Sequence, residues 1–432
     1  EAALPVSYIR GSVLFFLGFV VLFGGYLALR YNVLGNLTGT DAAPGLPHLR
    51  EQYRVLNAFR AWPEFIRLAF FPIDLSVDYS PATILPAESI SPMILLGMLL
   101  VVTTVLLILA TPYAPRAGLA AGWFLLTLLP VSNFFFPIGV LIAERTLYMP
   151  SLAVCFLAGY AWEAVAKTAE QETRKLAMGL AVVVVLLFGG RTITRNPDWD
   201  SMLTVWRSLI RDHPESYRSQ WLNAINAWSS GNMIMAERYF MLAEKIWSRD
   251  SQMLNEIGNF YLGQRKFDKA VDYLERSRDM TPFVPRTHEL LAYAYMQAGR
   301  TQDALATARH AASMESSHPA LTHAVIAGAY EKDRQYVKAA EAWRTVVKDK
   351  NGDLWLNWAF LARAQAYTGQ KDAALQSAQV ASTKAREPRS TDAVKRLQHG
   401  IANGCYDHAP AGECDPLAGW QIGMVNPVTR VQ

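Results

Sequence analysis

Glu144 and Arg145 stand side by side in Pro130–Ser151, an otherwise apolar stretch reading PVSNFFFPIGVLIAERTLYMPS. Ionisable side chains at membrane depth are costly unless they are paired or face water, which makes them candidates for function. Two readings of the doublet stay open. It is either a helix-end pair at the water interface or a site for an anionic group carried by a lipid. In the second reading Arg145 holds a phosphate and Glu144 orients it, because a planar guanidinium fork matches phosphate oxygens.

Further candidates lie upstream. In Ala61–Pro81 the apolar residues Trp62, Phe65, Ile66, Ala69 and Phe70 recur at helical spacing, with Glu64 and Arg67 between them and Arg60 just before. That pattern predicts an amphipathic helix lying in the membrane interface. Arg60 and Arg67 would join Arg145 on a lipid phosphate, while a carboxylate, Asp78 or Glu144, orients a sugar or an acceptor. Asp beside Pro and Ser is also a common turn cap, so Asp74 and Asp78 carry that alternative.

The elements that must place these residues are membrane helices. Uncharged runs of spanning length cover Gly11–Leu29, Pro92–Ala110 and Ala117–Phe136. Leu147–Ala166 is broken only by Glu163, and Leu176–Gly190 is short but has no polar face. About twenty apolar residues cross a bilayer, and shorter runs cross where the lipid thins around them. Five spans put a large loop, residues 31–90, on the same face as the Glu144 connection and everything after Arg191. The short connections on the other face carry Arg10, Arg116, Lys167, Arg174 and Lys175, which marks that face as cytoplasmic. No Met, cationic n-region or cleavage site precedes the first run, so the sequence is expected to be a segment of a longer protein.

Residues 1–195 thus read as a membrane region, 196–390 as a repeat array and 391–432 as a tail. In the array a unit returns every 34 to 35 residues, near 217–250, 251–284, 285–319, 320–354 and 355–388. The second copy is the clearest, with Gly258, Tyr261, Phe267, Ala270, Leu274 and Pro282. Small residues at the eighth and twentieth positions let paired helices approach, which is the tetratricopeptide spacing. Such an array offers a groove for extended peptides, to be lined by Trp221, Trp228, Asn255, Asn259, Arg286, Glu289 and Tyr293. Each of these can equally be an ordinary solvent-facing position. The expected fold class is all-α, a polytopic transmembrane helix bundle followed by a tetratricopeptide repeat α-solenoid.

Composition narrows the partners. Over 432 residues, 51% are hydrophobic and 18% charged, an average of an apolar first half and a charged second half. A net charge of +4 with no basic block and interleaved aromatics argues against nucleic acid. Cys405 and Cys414 lie in the Gly/Pro-rich tail NGCYDHAPAGECDP, where a disulfide in an oxidising compartment would add about 2–3 kcal/mol. With His408 they lack a fourth metal ligand at the usual spacing, so no metal site is assigned. Cys155, inside a spanning run, is expected only to pack.

Four stretches together resemble a known family: YLALRYNVLG (Tyr26–Gly35), FFPIDLSVDYS (Phe70–Ser80), LLPVSNFFFPIGVLIAERTLYMPS ending at Ser151, and RNPDWDSMLTVWRSLIRDHPES from Arg195. Followed by tetratricopeptide repeats, they are similar to the transmembrane and tetratricopeptide repeat-containing O-mannosyltransferases and their bacterial relatives. The resemblance implies the C-terminal portion of a type C glycosyltransferase, with chemistry on the lumenal or periplasmic face. It implies a polyprenyl-phosphate sugar as donor, a protein hydroxyl as acceptor and an acidic base in an early loop, often with a divalent metal. Nothing here corresponds to that loop, so the base is unassigned. Glu144, Arg145 and Tyr148 match the family motif, Arg145 and Tyr148 on the donor phosphate. The expected setting is an integral protein of the bacterial inner membrane or endoplasmic reticulum, touching lipid, with its repeats on the periplasmic or lumenal side. Two rival readings are a non-enzymatic membrane-anchored repeat scaffold and an O-antigen-type oligosaccharide ligase.

Overall fold

A computed structural model of the chain describes residues 24–25, 28–29, 31–32, 51–79, 87, 89–135, 140–314, 318–408, 415–417 and 420. It divides into two compact units, Glu1–Ala227 with Met233–Ser248, and Trp228–Asn232 with Arg249–Gln432. The regular elements among the described residues are helical.

The first unit is built around α1 (Glu51–Phe70). Its apolar face, Ala61, Trp62, Phe65 and Leu68, is the centre of a buried cluster with Phe124, Leu128, Leu141, Ile142 and Leu147. Trp62 and Phe65 are fully enclosed, and Trp62 meets Phe124 edge-on at 5.9 Å. The sequence pattern predicted a helix lying in the interface plane. Protein covers the face that reading assigned to lipid, because α2 and α3 supply a larger apolar surface close by. The helix α2 (Pro92–Leu109) opens on Pro92, whose fixed φ suits a first helical turn. It packs so closely on α1 that a Cβ on Gly97 would stand 1.9 Å from the Phe59 carbonyl oxygen.

After α3 (Pro115–Leu128) a 3-10 turn, Leu129–Val131, ends the helix at Pro130, which has no N–H to continue the ladder. The run Ala117–Phe136 therefore does not form one helix of spanning length. A second 3-10 turn, Glu144–Leu147, precedes α4 (Leu152–Thr168), and α5 (Gln171–Arg195) follows. Among the described residues two helices are long and apolar enough to cross a membrane, Pro92–Leu109 and Gln171–Trp199. The apolar stretch of the latter is exposed on every side. The first run, Gly11–Leu29, lies largely outside the described residues.

A 3-10 turn at Asn196–Trp199 leads into α6 (Met202–Asp212), capped by Ser201 and Thr204 in a reciprocal box. The first helix pair of the array follows, α7 (Tyr217–Ser229) and α8 (Met233–Ile246).

The second unit continues as an α-solenoid of tetratricopeptide pairs. These are α9 (Ser251–Gly263) with α10 (Phe267–Met280), α11 (Pro285–Gln297) with α12 (Thr301–Ser313), α13 (Pro319–Lys332) with α14 (Tyr336–Lys348), and α15 (Trp355–Tyr367) with α16 (Lys371–Lys384). A further helix, α17 (Pro388–Ala402), packs after the last pair, and a single helical turn, Cys405–His408, follows it. Ala270, Ala292, Ala304, Ala327, Ala339, Ala362 and Ala374 are all fully buried where paired helices touch. At Gly258 any Cβ would stand 2.6 Å from Leu274, so the eighth position of that repeat is steric in origin.

Candidate functional site

The 3-10 turn at Glu144 is where separate parts of the first unit meet. The Glu144 carboxylate accepts from the Ser76 amide at 2.6 Å, the Tyr79 hydroxyl at 3.1 Å and the Arg195 guanidinium at 3.4 Å. Arg195 ends α5 and reaches on to Asp212 at the end of α6, 3.7 Å away. Arg211 then grips Asp198 through two nitrogens, at 2.9 and 3.2 Å, and Asp212 at 2.8 Å. Asp78 pairs with Arg218 of α7 at 3.5 Å, and Arg191 donates to the Ile73 carbonyl at 3.0 Å. One network thus ties the loop Ile73–Tyr79, the Glu144 turn and the segment Arg191–Arg218 together.

Its electrostatics follow from burial. Burial pushes the Glu144 carboxyl above its ordinary value of 4.5, against the opposing pull of Arg195. The Tyr79 hydroxyl is pushed up by burial and by the carboxylate beside it. Two polar atoms of the network, Arg195 Nε and Asp78 Oδ2, are buried without a hydrogen-bond partner.

Neighbours in sequence point opposite ways. Glu144 turns inward, whereas Arg145 is exposed and forms no ion pair among the described residues. Tyr148, at the end of the same turn, is 81% exposed. The doublet is therefore no mutual acid–base pair: the partner of Glu144 is Arg195, distant in sequence. Arg67 is already engaged, chelating Glu64 and donating to the Asp74 carbonyl at 3.0 Å. Arg60 is half-buried on α1. A different arginine, Arg54, shapes the loop before the turn by donating to the Asn133 carbonyl at 2.6 Å. Asn133 itself adopts φ 61° and donates to the Val140 carbonyl at 3.0 Å.

The residues expected to line a peptide groove have several fates. Trp221, Asn259, Glu289 and Tyr293 are buried. Glu289 is enclosed and accepts from the His318 amide and from its imidazole, both at 3.1 Å, with Arg286 at 3.5 Å. It joins one repeat to the next and offers nothing to a ligand. Asn255 donates to the Thr287 hydroxyl at 2.7 Å, and Trp228 meets Phe260 edge-on at 5.6 Å. Inward-facing tetratricopeptide positions alternate too tightly with groove positions for composition to separate them.

Cys405 is in a disulfide and Cys155 is a free, exposed thiol; Cys414 lies outside the described residues. No group of three or more His, Cys, Asp or Glu side chains gathers among the described residues in a way that could hold a metal.

No protein-family model matches the chain. Curated proteins do. Protein O-mannosyl-transferase TMTC3 of Mus musculus is 26% identical over 182 residues, 42% of this chain and 16% of that protein. TMTC1 of Mus musculus is 27% identical over 213 residues, 48% of this chain and 22% of the relative. TMTC4 of Homo sapiens is 32% identical over 124 residues, 28% of this chain and 16% of the relative. This chain is a homologue of the protein O-mannosyl-transferases.

The matches span less than a quarter of those O-mannosyl-transferases' own length. Among solved structures, one described as the functional characterization of Pseudomonas aeruginosa pilF covers 49% of this chain and 95% of its own, at 16% identity and TM-score 0.39. A second, YrrB, described as a TPR protein with an unusual peptide-binding site, covers 44% of this chain and 97% of its own, at 14% identity and TM-score 0.36.

Three of the stretches that carry the O-mannosyltransferase resemblance supply the network: Phe70–Ser80 gives Ser76, Asp78 and Tyr79, the Glu144 turn gives its carboxylate, and the segment from Arg195 gives Arg195, Asp198, Arg211 and Asp212. Sequence reasoning missed Tyr79, Arg195 and Asp212 as site residues. The signal was the dense charge of RNPDWD and IRD immediately after an apolar helix.

Proposed function

We propose that the chain is the C-terminal part of a membrane glycosyltransferase that moves a sugar from a polyprenyl-phosphate donor to protein. The O-mannosyl-transferase names of its homologues support mannose as the sugar and a protein as the acceptor, held or presented by the repeats. The observation that carries the reading is the buried network that fixes the Glu144 turn while leaving Arg145 and Tyr148 projecting from it.

A guanidinium held on a rigid turn without a carboxylate partner suits an anionic ligand, and a lipid phosphate is the anion a membrane supplies. Arg145 then binds the donor phosphate and neutralises the charge that develops as the sugar leaves. Tyr148, three residues on, can donate to the same oxygens. Glu144 and Asp78 are each held by an arginine, so both are positioning residues in this reading. No general base is assigned to a residue of this chain. The site faces the periplasm or the endoplasmic reticulum lumen, on the side of the repeats.

The test is transfer by the full-length protein in proteoliposomes, with polyprenyl-phosphate mannose and a protein acceptor. Arg145→Ala is expected to lower turnover at least tenfold with insertion intact, and Arg145→Lys to restore part of it. Turnover unchanged by Arg145→Ala overturns the assignment. The engagement of both candidate carboxylates also favours a second reading, a membrane-anchored scaffold. Stable capture of partners with no change in glycosylation on deletion would establish that one instead.

A further inference from the structure

Arg363, on the first helix of the fifth repeat (α15), is the centre of a buried ion triad. Its guanidinium pairs with Glu331, near the end of α13, and donates to Asp415 Oδ2 at 2.7 Å. The three side chains, Arg363, Glu331 and Asp415, are 15%, 12% and 16% exposed. Glu331 also accepts from Trp343 Nε1 at 3.0 Å. Asp415 belongs to the tail beyond α17, 52 residues from Arg363 in sequence.

Two further tail residues anchor beside it. Leu417 is 1% exposed, and its amide closes onto Asp415 Oδ1 at 3.0 Å. Trp420 stands edge-on to Trp355 of α15, ring centroids 4.8 Å apart, with the Arg389 guanidinium over its ring at 5.1 Å. The acid and the tryptophan meet separate groups of the array, and the aliphatic residue between them is buried.

Ion triads buried in this way contribute little to stability compared with apolar side chains of the same volume. What this one provides is selection for a carboxylate at a single position. The remaining contacts have the character of peptide recognition, with an aromatic anchor and a buried aliphatic side chain at fixed spacing. A simple end cap for the array would need only the apolar contacts.

We infer that Arg363, Glu331, Trp355 and Arg389 form a peptide site for segments of the form Asp-x-Leu-x-x-Trp, occupied in this chain by its own Asp415 and Trp420 with Leu417 buried between them. The occupant in trans is a partner polypeptide with the same acidic–aliphatic–aromatic spacing. Because the tail is tethered to the array, its local concentration is in the millimolar range, and it masks the site from weaker partners. The inference stands whether or not the first unit transfers a sugar.

The experiment uses the whole chain in detergent and a fluorescent peptide, DPLAGWQ, copied from Asp415–Gln421. Two tail variants are compared with the unaltered chain by anisotropy, Asp415→Asn and the pair Leu417→Ala/Trp420→Ala. Both are expected to bind the peptide at least tenfold more tightly than the unaltered chain. A peptide whose first residue is Asn is expected to lose at least tenfold. Variants that keep a cooperative thermal transition yet bind no better overturn the site, as does an Asn peptide that binds equally well. Should Asp415→Asn lose its transition, the Leu417→Ala/Trp420→Ala pair, which leaves the triad intact, decides the question.

Discussion

Arg195 reaches Glu144 at 3.4 Å across 51 residues of sequence, joining the end of a 25-residue apolar helix to a four-residue turn. The contact lies outside the apolar runs and is only 10% and 21% exposed on its two sides. It makes the orientation of the Glu144 turn depend on where α5 ends. Arg145 is aimed outward as a consequence, because adjacent residues of a tight turn cannot both face the same neighbour.

The first prediction concerns pH. Burial, the largest influence on Glu144, holds its pKa above 4.5 in the folded chain. The folded state therefore binds that proton more tightly than the unfolded state. The residue's contribution to stability is full below about pH 4.5 and falls as pH rises through the raised folded value. Glu144→Gln should flatten that fall, measured as the thermal midpoint in detergent from pH 4 to 8. Arg195→Met should deepen it by removing the guanidinium paired with a half-buried carboxylate. The cost at neutral pH is on the order of 1–3 kcal/mol, below that of a fully buried pair because Glu144 keeps contact with water. In the double variant the two effects should not add, since they share one interaction. Strict additivity would show that Arg195 and Glu144 are not coupled.

What was legible in the sequence is what periodicity encodes. The helix pairs of the array follow from small residues such as Ala270, Ala304 and Ala339, because a helix–helix contact admits nothing larger there. The apolar character of α2 and α5 was equally plain. Partner choice was not legible: Glu144 lies beside Arg145 in sequence, but a 3-10 turn leaves one half-buried and the other exposed. Glu289 read as a groove residue, yet it is enclosed and spent on His318. A hydrophilic residue on an amphipathic helix can face solvent or bridge to the next element, and only the three-dimensional neighbour distinguishes these. The apolar stripe of α1 likewise specified burial without naming lipid or protein as the cover.

The second prediction separates those two covers. Phe65 is fully buried in the protein cluster, while Phe71, just past the end of the same helix, is 67% exposed. If α1 is a core element, Phe65→Ala removes a packed ring and costs about 3–5 kcal/mol. Phe71→Ala should then change stability by less than about 0.5 kcal/mol in detergent, as surface substitutions do. Were α1 instead a lipid-surface helix, the two substitutions would cost similar amounts and both would weaken vesicle association. Thermal unfolding with flotation of the two variants on anionic vesicles makes the comparison.

The third prediction rests on the turn inside each repeat. Gly231, Gly299 and Gly369 take φ of 81°, 81° and 75° between the paired helices. In the second and fourth repeats the corresponding positions are Arg265 and Arg334, at 57° and 58°. A side chain there brings Cβ too near the following carbonyl, a strain of roughly 1–2 kcal/mol that glycine avoids. Glycine also gives the unfolded chain more freedom, which returns part of that gain, roughly 0.5–1 kcal/mol. Arg265→Gly and Arg334→Gly should each raise stability by up to about 1 kcal/mol, while Gly299→Arg should lower it by a similar amount. The three sites lie in separate repeats and share no contact, so the two gains should add. Denaturant unfolding of each single variant and of the double variant measures this, and a loss on replacing either arginine would mean that its side chain, not its backbone, holds the turn.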